Sequence, residues 1–393
     1  MLKKLATRFA VLVVAVLPFV GQPLTAAASS GGTLFAITGT NQNFLSRVDP
    51  STGVVSHIED LAGPNQNLQA VNLAGDPATH RLFVIRSDGL NNEVLTIDST
   101  SGNILADKPV NAQVDQIGFD SSTGTLWLLG FSGISTLDPA TGLTTVVVGL
   151  GNTCCGILSM AVVPGAHTIY VNNFDPGLPA SDQILTVDTS ARTVMSSPVV
   201  EAAVRIISYD TGNGGLFGLR DCCPRQLVKV DPANATDTVV DSFTNDPSTI
   251  NTFAMAVDPS TDTVFADAQT STQDQVVSMS DQGPALIISP PTTETVWSMY
   301  FETPATVITP GSIIADVKSA LSSGAITNAG VASSLLAKLN AAKAARGRGQ
   351  CATAALIYHA FIAEVRAQSG KAIAPATAGR LVSEAQFLIA NCP

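Results

Sequence analysis

Val48-Asp49-Pro50-Ser51-Thr52-Gly53-Val54-Val55 ends one run of alternating apolar residues and begins another, which is the pattern of a β-hairpin. Asp caps such a turn through its side chain, Pro presets φ at the next position, and Gly supplies the positive φ that closes it. Copies recur roughly every 45 residues, a period typical of solenoids and propellers. The other copies are Ile97-Asp98-Ser99-Thr100-Ser101-Gly102, Leu137-Asp138-Pro139-Ala140-Thr141-Gly142, Val187-Asp188-Thr189-Ser190 and Val230-Asp231-Pro232-Ala233-Asn234.

The two ends of the repeat predict the number of units. Each period contains four short runs with strand-like alternation, but residues 33–38, 44–48 and 54–58 supply only a second, third and fourth strand. The segment Val296–Glu302 has the first-strand pattern and no unit after it. Pairing these ends closes a ring of six blades and removes open sheet edges. An open array and a seven-bladed ring are the alternatives.

The N-terminus has the features of an export signal. Lys3, Lys4 and Arg8 precede the apolar run 9–20, and the small residues Ala26-Ala27-Ala28 follow it. This predicts a signal peptide over residues 1–28, too short for a membrane span, with an N-terminal anchor helix as the alternative. The protein is therefore expected to be secreted, extracellular or periplasmic, where its six cysteines can form disulfides.

The C-terminal part changes its apolar period from 2 to 3.6 residues. Residues 303–310 contain Pro304 and Pro310 and predict a short stiff linker. Beyond it, amphipathic helices are expected at residues 312–322, 328–346, 351–368 and 377–390. The predicted fold class is an all-β six-bladed β-propeller over residues 29–302 with a small C-terminal all-α domain of four helices over residues 311–393.

Both parts resemble known families. The repeat over about residues 32–302 resembles the NHL/YVTN-like six-bladed β-propellers, whose members include lactonases, quinoproteins and plain binding modules. The tail resembles the FIMAH domain, which implies an extracellular accessory module of a secreted bacterial protein. The stretches that carry this second resemblance are Ile314-Ala315-Asp316-Val317, Gly324-Ala325-Ile326-Thr327-Asn328, Ser334-Leu335-Leu336-Ala337-Lys338-Leu339, Phe361-Ile362-Ala363-Glu364-Val365 and Ala385-Gln386-Phe387-Leu388-Ile389.

Charge is distributed unequally between the two parts. The chain has a net charge of −11, and its segment from Gly311 on has eight Lys/Arg against three carboxylates, a net +5. Leaving out the three cations of the signal, the propeller carries −19. Such a surface repels nucleic acid, so no nucleic-acid partner is expected. Lys338, Lys343, Arg346 and Arg348 cluster at the end of the second helix. They either complement its dipole, dock on the acidic propeller of the same chain, or bind an anionic polymer of the cell surface.

The repeated Asp residues have two readings. They lie in turns between first and second strands or between third and fourth strands, and both kinds of turn fall on one face of a propeller, here named the lower face. A ring of calcium sites is one reading, and side-chain capping of the turns is the favoured one. His57, His80, His167 and His359 are all expected away from the opposite, upper face, so histidine-based acid–base or zinc chemistry is not expected there. No cofactor and no metal site are predicted.

The cysteines fall on the upper face and in the tail. Cys154-Cys155 and Cys222-Cys223 lie in upper-face loops of neighbouring blades, and they form either a staple between the loops or two vicinal disulfides. Cys351 opens the third helix of the tail and Cys392 follows the fourth. Antiparallel neighbours bring these ends together, so a Cys351–Cys392 disulfide is expected.

The upper mouth of the ring is the predicted ligand site. The entry ends of the first strands bring six residues there, of which Asp115, Arg205, Phe253 and Trp297, beside the cysteine loops, form a floor for a small molecule, a glycan or a protein. The other two are Val71 and Ser159. Ion pairing of Asp115 with Arg205 and ordinary packing of the aromatic rings are the alternative.

Together these features predict a secreted, non-catalytic binding or scaffold protein with a helical docking tail. An enzyme that uses the upper mouth, such as a lactonase-like hydrolase or a quinoprotein, is the alternative, and the adjacent cysteines favour it. The sequence argues against an enzyme, because neither histidines nor an acidic metal cluster are predicted at the mouth.

Overall fold

The computed structural model of this 393-residue chain describes residues 32–41, 43–62, 68–150, 157–173, 183–200, 204–220, 226–242, 249–269, 274–280, 283–287, 294–303 and 308–390. The predicted signal peptide lies outside these residues. So do Cys154, Cys155, Cys222, Cys223 and Cys392. Within the described ranges, none of the helices combines the length and apolar content that a membrane crossing needs.

The described chain contains strands followed by helices. The first strands are β1 (Thr33–Thr38), β2 (Phe44–Val48), β3 (Val55–Asp60), β4 (Gln69–Asp76), β5 (Arg81–Ser87), β6 (Asn92–Asp98), β7 (Ile104–Val110) and β8 (Gln116–Asp120). Next come β9 (Thr125–Gly130), β10 (Gly133–Leu137), β11 (Thr144–Val148), β12 (Ile157–Val163), β13 (Thr168–Asn173), β14 (Gln183–Asp188), β15 (Thr193–Ser196) and β16 (Val204–Tyr209). The remaining strands are β17 (Leu216–Arg220), β18 (Gln226–Val230), β19 (Asp237–Ser242), β20 (Thr249–Asp258), β21 (Thr263–Gln269), β22 (Asp274–Ser280), β23 (Gly283–Ile287) and β24 (Val296–Glu302). The helices are α1 (Pro310–Ser322), α2 (Ala329–Gly347), α3 (Cys351–Gln368) and α4 (Pro375–Ala390).

The strands form four-stranded antiparallel sheets arranged as the blades of a ring. Consecutive strands build blade 1 (β4–β7), blade 2 (β8–β11), blade 3 (β12–β15), blade 4 (β16–β19) and blade 5 (β20–β23). The closing blade has the order β24-β1-β2-β3, so the last strand pairs with the first, with Leu34 opposite Phe301. Strand β24 also contacts the innermost strands β20 and β4 of its two neighbours. The predicted six-bladed β-propeller is therefore confirmed, including its closure by the segment Val296–Glu302.

The core lies between neighbouring blades. Second strands such as β1 and β9 are buried from their second residue to their last, because the sheets stack on both of their faces. Fourth strands such as β3 and β11 are mostly exposed or half-buried. Aromatic pairs join blades across this core: the rings of Phe265 and Phe301 lie 5.8 Å apart at an interplanar angle of 10°, and Phe83 stacks on Phe119 at 5.6 Å.

Asp residues cap both kinds of lower-face turn. The Oδ1 atom of Asp49 accepts hydrogen bonds from the backbone N–H groups of Ser51 at 2.8 Å and Thr52 at 3.1 Å. In the other kind of turn, Asp76 accepts from Ala78 at 3.0 Å. The same bond to the residue two positions on recurs at Asp98, Asp120, Asp138, Asp188, Asp210, Asp231 and Asp258. Turn capping, the favoured reading of the sequence, is thus what these carboxylates do.

Four helices follow the propeller, and their bounds match the predicted ones to within two residues. Thr309 caps α1 in a capping box with Ser312, and the side chain of Asn328 caps α2. The four helices share one apolar core in which Tyr358 and Phe361 of α3 are fully buried. Helix α1 packs on α2 and α4, and α3 packs on α2 and α4. The tail is therefore a small bundle with a core of its own.

The bundle touches the propeller on the lower face of blade 3. A Cβ atom built on Gly165, in the turn between β12 and β13, would lie 2.7 Å from the Cα atom of Gly379 in α4. Gly165 has φ +72°, a conformation that glycine adopts without strain. Two glycines therefore allow backbone-to-backbone contact between the two parts of the chain.

Candidate functional site

Four of the predicted mouth residues share one backbone feature, a β-bulge near the upper end of the innermost strands, whereas Ser159 lies one position beyond the corresponding register shift. Val71, Arg205 and Trp297 are each the extra residue where the pairing register shifts against the second strand. Asp115 has the equivalent place, because its N–H donates to Leu129 O although Leu129 also pairs with Gln116. Bulges of this kind redirect a side chain and increase the local twist. The sequence analysis placed these residues at the entry ends of their strands without predicting the bulge.

Phe253 lies in the irregular part of β20, where the register shifts between Ile250 and Met255. Its side chain lies outside the described part of the chain. The two loops with adjacent cysteines also lie outside it, so neither the interblade staple nor the vicinal disulfides are tested. Their flanking strands are described: β11 ends at Val148 before one loop, and β17 ends at Arg220 before the other.

The described mouth residues differ in their surroundings. Trp297 is packed, because its Nε1–H donates to Gly39 O at 2.9 Å and its ring contacts the apolar core shared by the closing blade and blade 1. Asp115 is half-buried, and this burial raises the pKa of its carboxyl group. Arg205 itself is half-buried and has a partner.

Directly after the bulge, polar side chains connect neighbouring blades. Asn72 Oδ1 accepts a hydrogen bond from the backbone N–H of Ile117 in the next blade at 3.2 Å. Gln116 Oε1 accepts in the same way from Met160 at 2.7 Å, and Ser159 Oγ accepts from Ile207 at 2.9 Å. These bonds join the innermost strands of blades 1 to 4 just below the mouth. Sequence analysis missed them, although a polar residue at the same point of three successive periods is a readable signal.

We expect Ser159→Ala to lower the free energy of unfolding by roughly 1–3 kcal/mol, because it leaves the buried N–H of Ile207 without an acceptor. Thermal or denaturant unfolding of the full-length protein measures the change. Ser56→Ala, at an exposed position of β3, is the matched control and is expected to change stability little. Equal stability of the two variants would contradict a stabilising role for the interblade bond.

The upper face also exposes two large apolar side chains that the sequence analysis did not select. Leu90, in the turn between β5 and β6 of blade 1, is 89% exposed. Phe131, in the turn between β9 and β10 of blade 2, is 62% exposed. These turns are equivalent in the two neighbouring blades and face the same side as the mouth. Their signal in the sequence is an apolar residue at the tip of a tight turn, where polar residues are usual.

A buried ionic cluster lies beside the upper-face turn of blade 1. Arg86 is almost fully buried and donates to Leu61 O at 2.9 Å, while its Nη2 binds Glu93 and Asp107. Arg220, at the corresponding position of blade 4, binds Asp237 and Gln226. Because each guanidinium ties adjacent strands together, these groups hold the upper-face turns in place. Both guanidinium groups already bind carboxylates of their own blade.

The cations of the bundle are only partly available for an anionic partner. Lys338 Nζ pairs with Glu364 at 2.6 Å and Arg346 donates to Leu388 O near the end of α4. Lys343 and Arg348 are exposed. Since Leu388 is nine residues beyond Gly379 along α4, Arg346 lies about 13 Å along the helix axis from the contact with the propeller.

Within the described ranges, no group of three His, Cys, Asp or Glu side chains is arranged to hold a metal ion.

Two pairs of carboxyl groups lie close together in the described structure. Burial raises the pKa of Asp210 to about 6, with Asp262 of the next blade contributing beside it. Burial, followed by the charge of Asp316, raises the pKa of Glu384 in the helical bundle to about 8.

Comparison with known proteins gives likenesses in structure only. No family model matches the sequence, and no curated protein matches it. A chain in the crystal structure of a nidogen/laminin complex is 11% identical with a TM-score of 0.50, covering 70% of this chain and 98% of that one. TolB from Acinetobacter baumannii is 12% identical with a TM-score of 0.49, covering 70% of this chain and 67% of that one. Hydrazine synthase of Kuenenia stuttgartiensis is 14% identical with a TM-score of 0.44, covering 61% and 71%. The first likeness supports the propeller fold, and identities this low carry no argument about function.

Proposed function

We propose that this is a secreted, non-catalytic binding or scaffold protein whose upper propeller face contacts a protein partner. The observation that carries the proposal is the exposure of Leu90 and Phe131 on equivalent turns of neighbouring blades. Large apolar side chains that are exposed on one face of a protein are typical of surfaces that a partner covers. They lie beside the mouth, where the sequence placed Asp115, Arg205, Phe253 and Trp297.

Hydrogen bonds between the blades hold the upper face in one shape, which supports its role as a preformed binding surface. The side chains of Asn72, Gln116 and Ser159 bond each innermost strand to the next, and Arg86 holds the turn region of blade 1. A surface fixed in this way loses little conformational entropy on binding. A propeller of similar fold occurs in a complex of two proteins, the nidogen/laminin complex, which is a precedent for the architecture and not for the partner.

The helical bundle fits an accessory role, as its resemblance to the FIMAH domain implies. In this proposal the exposed cations Lys343 and Arg348 bind an anionic polymer of the cell surface. Lys338 and Arg346 mainly stabilise the bundle through their contacts within it. A disulfide between Cys351, at the start of α3, and Cys392, beyond α4, stays a prediction. Export of the chain after removal of residues 1–28 completes the proposal.

Site-specific photocrosslinking tests this function in the full-length protein secreted by its own cells. A photoreactive residue at position 90 or 131 is expected to give one discrete crosslinked protein. The matched control is position 190, where Ser190 lies exposed in a lower-face turn of blade 3. The upper face is not the binding surface if positions 90 and 131 give no crosslinked product, or if they give the same products as position 190. Turnover of a lactone substrate or a bound chromophore in the purified protein would instead favour the enzymatic alternative.

A further inference from the structure

A cavity of about 210 Å³ opens on the lower face, at the seam between the closing blade and blade 1. Its walls come from the ends of β1, β2 and β24 and from the turns that follow β4 and β6. Pockets for drug-sized ligands measure about 300–1,000 Å³, so this one has room for a small organic molecule only. It lies opposite the proposed protein-binding face, and the inference below does not rest on that proposal.

Arg47 forms the cationic side of this cleft. Its Nη2 donates to the carbonyl oxygens of Ser99 and Thr100, both at 2.9 Å, across the seam. Its Cζ lies 5.7 Å from the centroid of the Phe35 ring, over the ring face. These contacts fix the guanidinium and use the two hydrogens of Nη2. Among the described residues, none accepts a hydrogen bond from Nε or Nη1, so these N–H groups are available to a ligand.

Glu302 forms the anionic side. Its residue is 8% exposed, and its Oε1 accepts a hydrogen bond from Ser99 Oγ at 2.8 Å with His80 Nδ1 at 3.6 Å. Burial raises the pKa of Glu302, and the Ser99 hydrogen bond and the nearby charges of His80 and Arg47 oppose this rise. Both of these contacts, with Ser99 and His80, are made by Oε1, and among the described residues no donor binds Oε2, so an additional ammonium group can donate to that oxygen.

Arg47 and Glu302 line the same cavity, and no direct ion pair joins them in the described structure. Arg47 acts on Glu302 electrostatically, but its own hydrogen bonds in the described structure go to main-chain carbonyls. A cavity with a donor-rich cation on one side and a buried carboxylate on the other is complementary to a molecule that has both charges. A simple anion would be repelled by Glu302, and a simple cation by Arg47.

We propose that this cleft binds a small zwitterion of the α-amino-acid class. Its carboxylate accepts hydrogen bonds from Nε and Nη1 of Arg47, and its ammonium donates to Glu302. The hydroxyl groups of Thr33 and Thr303 line the same cavity and complete a polar surround. Because β24 supplies Glu302 and blade 1 supplies the carbonyls behind Arg47, the bound molecule links the last strand to the neighbouring blade.

Thermal shift and calorimetry on the full-length protein test the proposal with glycine and L-alanine at millimolar concentrations. A ligand that binds only the folded state raises the unfolding temperature of the propeller, and the rise grows with the logarithm of the ligand concentration relative to its Kd. Acetate and ethylammonium each have one of the two charges, and glycine betaine has both but no N–H donor. We expect stabilisation by the two amino acids and little by these three compounds.

Two variants connect the effect to this cleft. Glu302→Gln keeps an acceptor for Ser99 but removes the charge, and we expect it to weaken amino-acid binding by about tenfold or more. Arg47→Gln is expected to do the same, although it also loses the two carbonyl bonds. Arg192→Gln, at an exposed turn of blade 3, is the matched control and should bind as the unmodified protein does. Absence of binding by both amino acids, equal binding of acetate, or unchanged binding by Glu302→Gln would overturn the inference. None of these outcomes bears on the upper face.

Discussion

A chain that ends before Val296 is expected to lose the cooperative unfolding of the whole propeller, and not only a terminal strand. The truncation removes the innermost strand of the closing blade and exposes one edge of β1. It also removes the buried side chains of Val296, Met299 and Phe301, each worth roughly 1.5–3 kcal/mol of burial. That sum is comparable to the entire stability of a typical domain, about 5–15 kcal/mol. Circular dichroism and thermal unfolding measure the loss.

The control for this truncation is a chain that ends after Thr303. It keeps β24 and lacks the four helices, so we expect it to retain a propeller transition close to that of the full-length protein. Phe301→Ala gives an intermediate test, with an expected cost of roughly 3–5 kcal/mol through the lost contact with Phe265. A chain ending before Val296 that melted like the longer control would show that the ring does not depend on its closure.

The second large effect concerns the pH dependence of the helical bundle. Glu384 of α4 is 7% exposed, and Oε2 of its carboxyl group has no hydrogen-bond donor among the described residues. Burial and the neighbouring Asp316 raise its pKa to about 8, while Arg380, at 3.9 Å, lowers it. The folded state therefore keeps a proton that the unfolded chain releases near its ordinary pKa of 4.5. Stability then falls as pH rises between these two values and stays low above about 8.

Glu384→Gln is expected to remove this decline and to stabilise the bundle at about pH 8 by roughly 2–4 kcal/mol. The measurement is thermal unfolding of the full-length protein, followed by its helical far-UV signal, at about pH 5 and about pH 8. Glu364→Gln is the matched control, because Glu364 is paired with Lys338 and its loss should leave the pH-dependent decline in place. A decline of the same size in Glu384→Gln would show that another group titrates.

The fold was predictable because its information is local. The hairpin at Asp49 and its copies mark each third-to-fourth-strand turn, and the missing first strand before Thr33 reappears at Val296. The helix bounds followed from period and caps, as at Asn328 before α2. Each of these signals lies within a few residues of the feature it predicts, so no knowledge of the neighbouring blade was needed.

The site was only partly predictable because its contacts are long-range. The bond from Ile207 to Ser159 depends on how one blade is aligned with the next. The pairing of Glu384 with Asp316 depends on which faces of α1 and α4 meet. The cleft at Glu302 exists only once the last strand lies beside the first, so the sequence analysis considered neither Arg47 nor Glu302. The positions of Asp115 and Trp297 at the entry ends of innermost strands were predictable, since strand order alone places them there, and their role in a ligand site stays a prediction.

The pairing of β24 with β1 also has a consequence for the time course of folding. Strand β1 is among the first to be synthesised and its innermost partner is the last, so the contact between Leu34 and Phe301 spans nearly the whole propeller. Contacts this distant in sequence form slowly, because a long loop must close before they contribute. During synthesis the nascent chain therefore passes through states in which β1 is an open edge, and such edges recruit other chains. Once the ring is complete, opening requires both ends to separate together, which favours a long-lived native state.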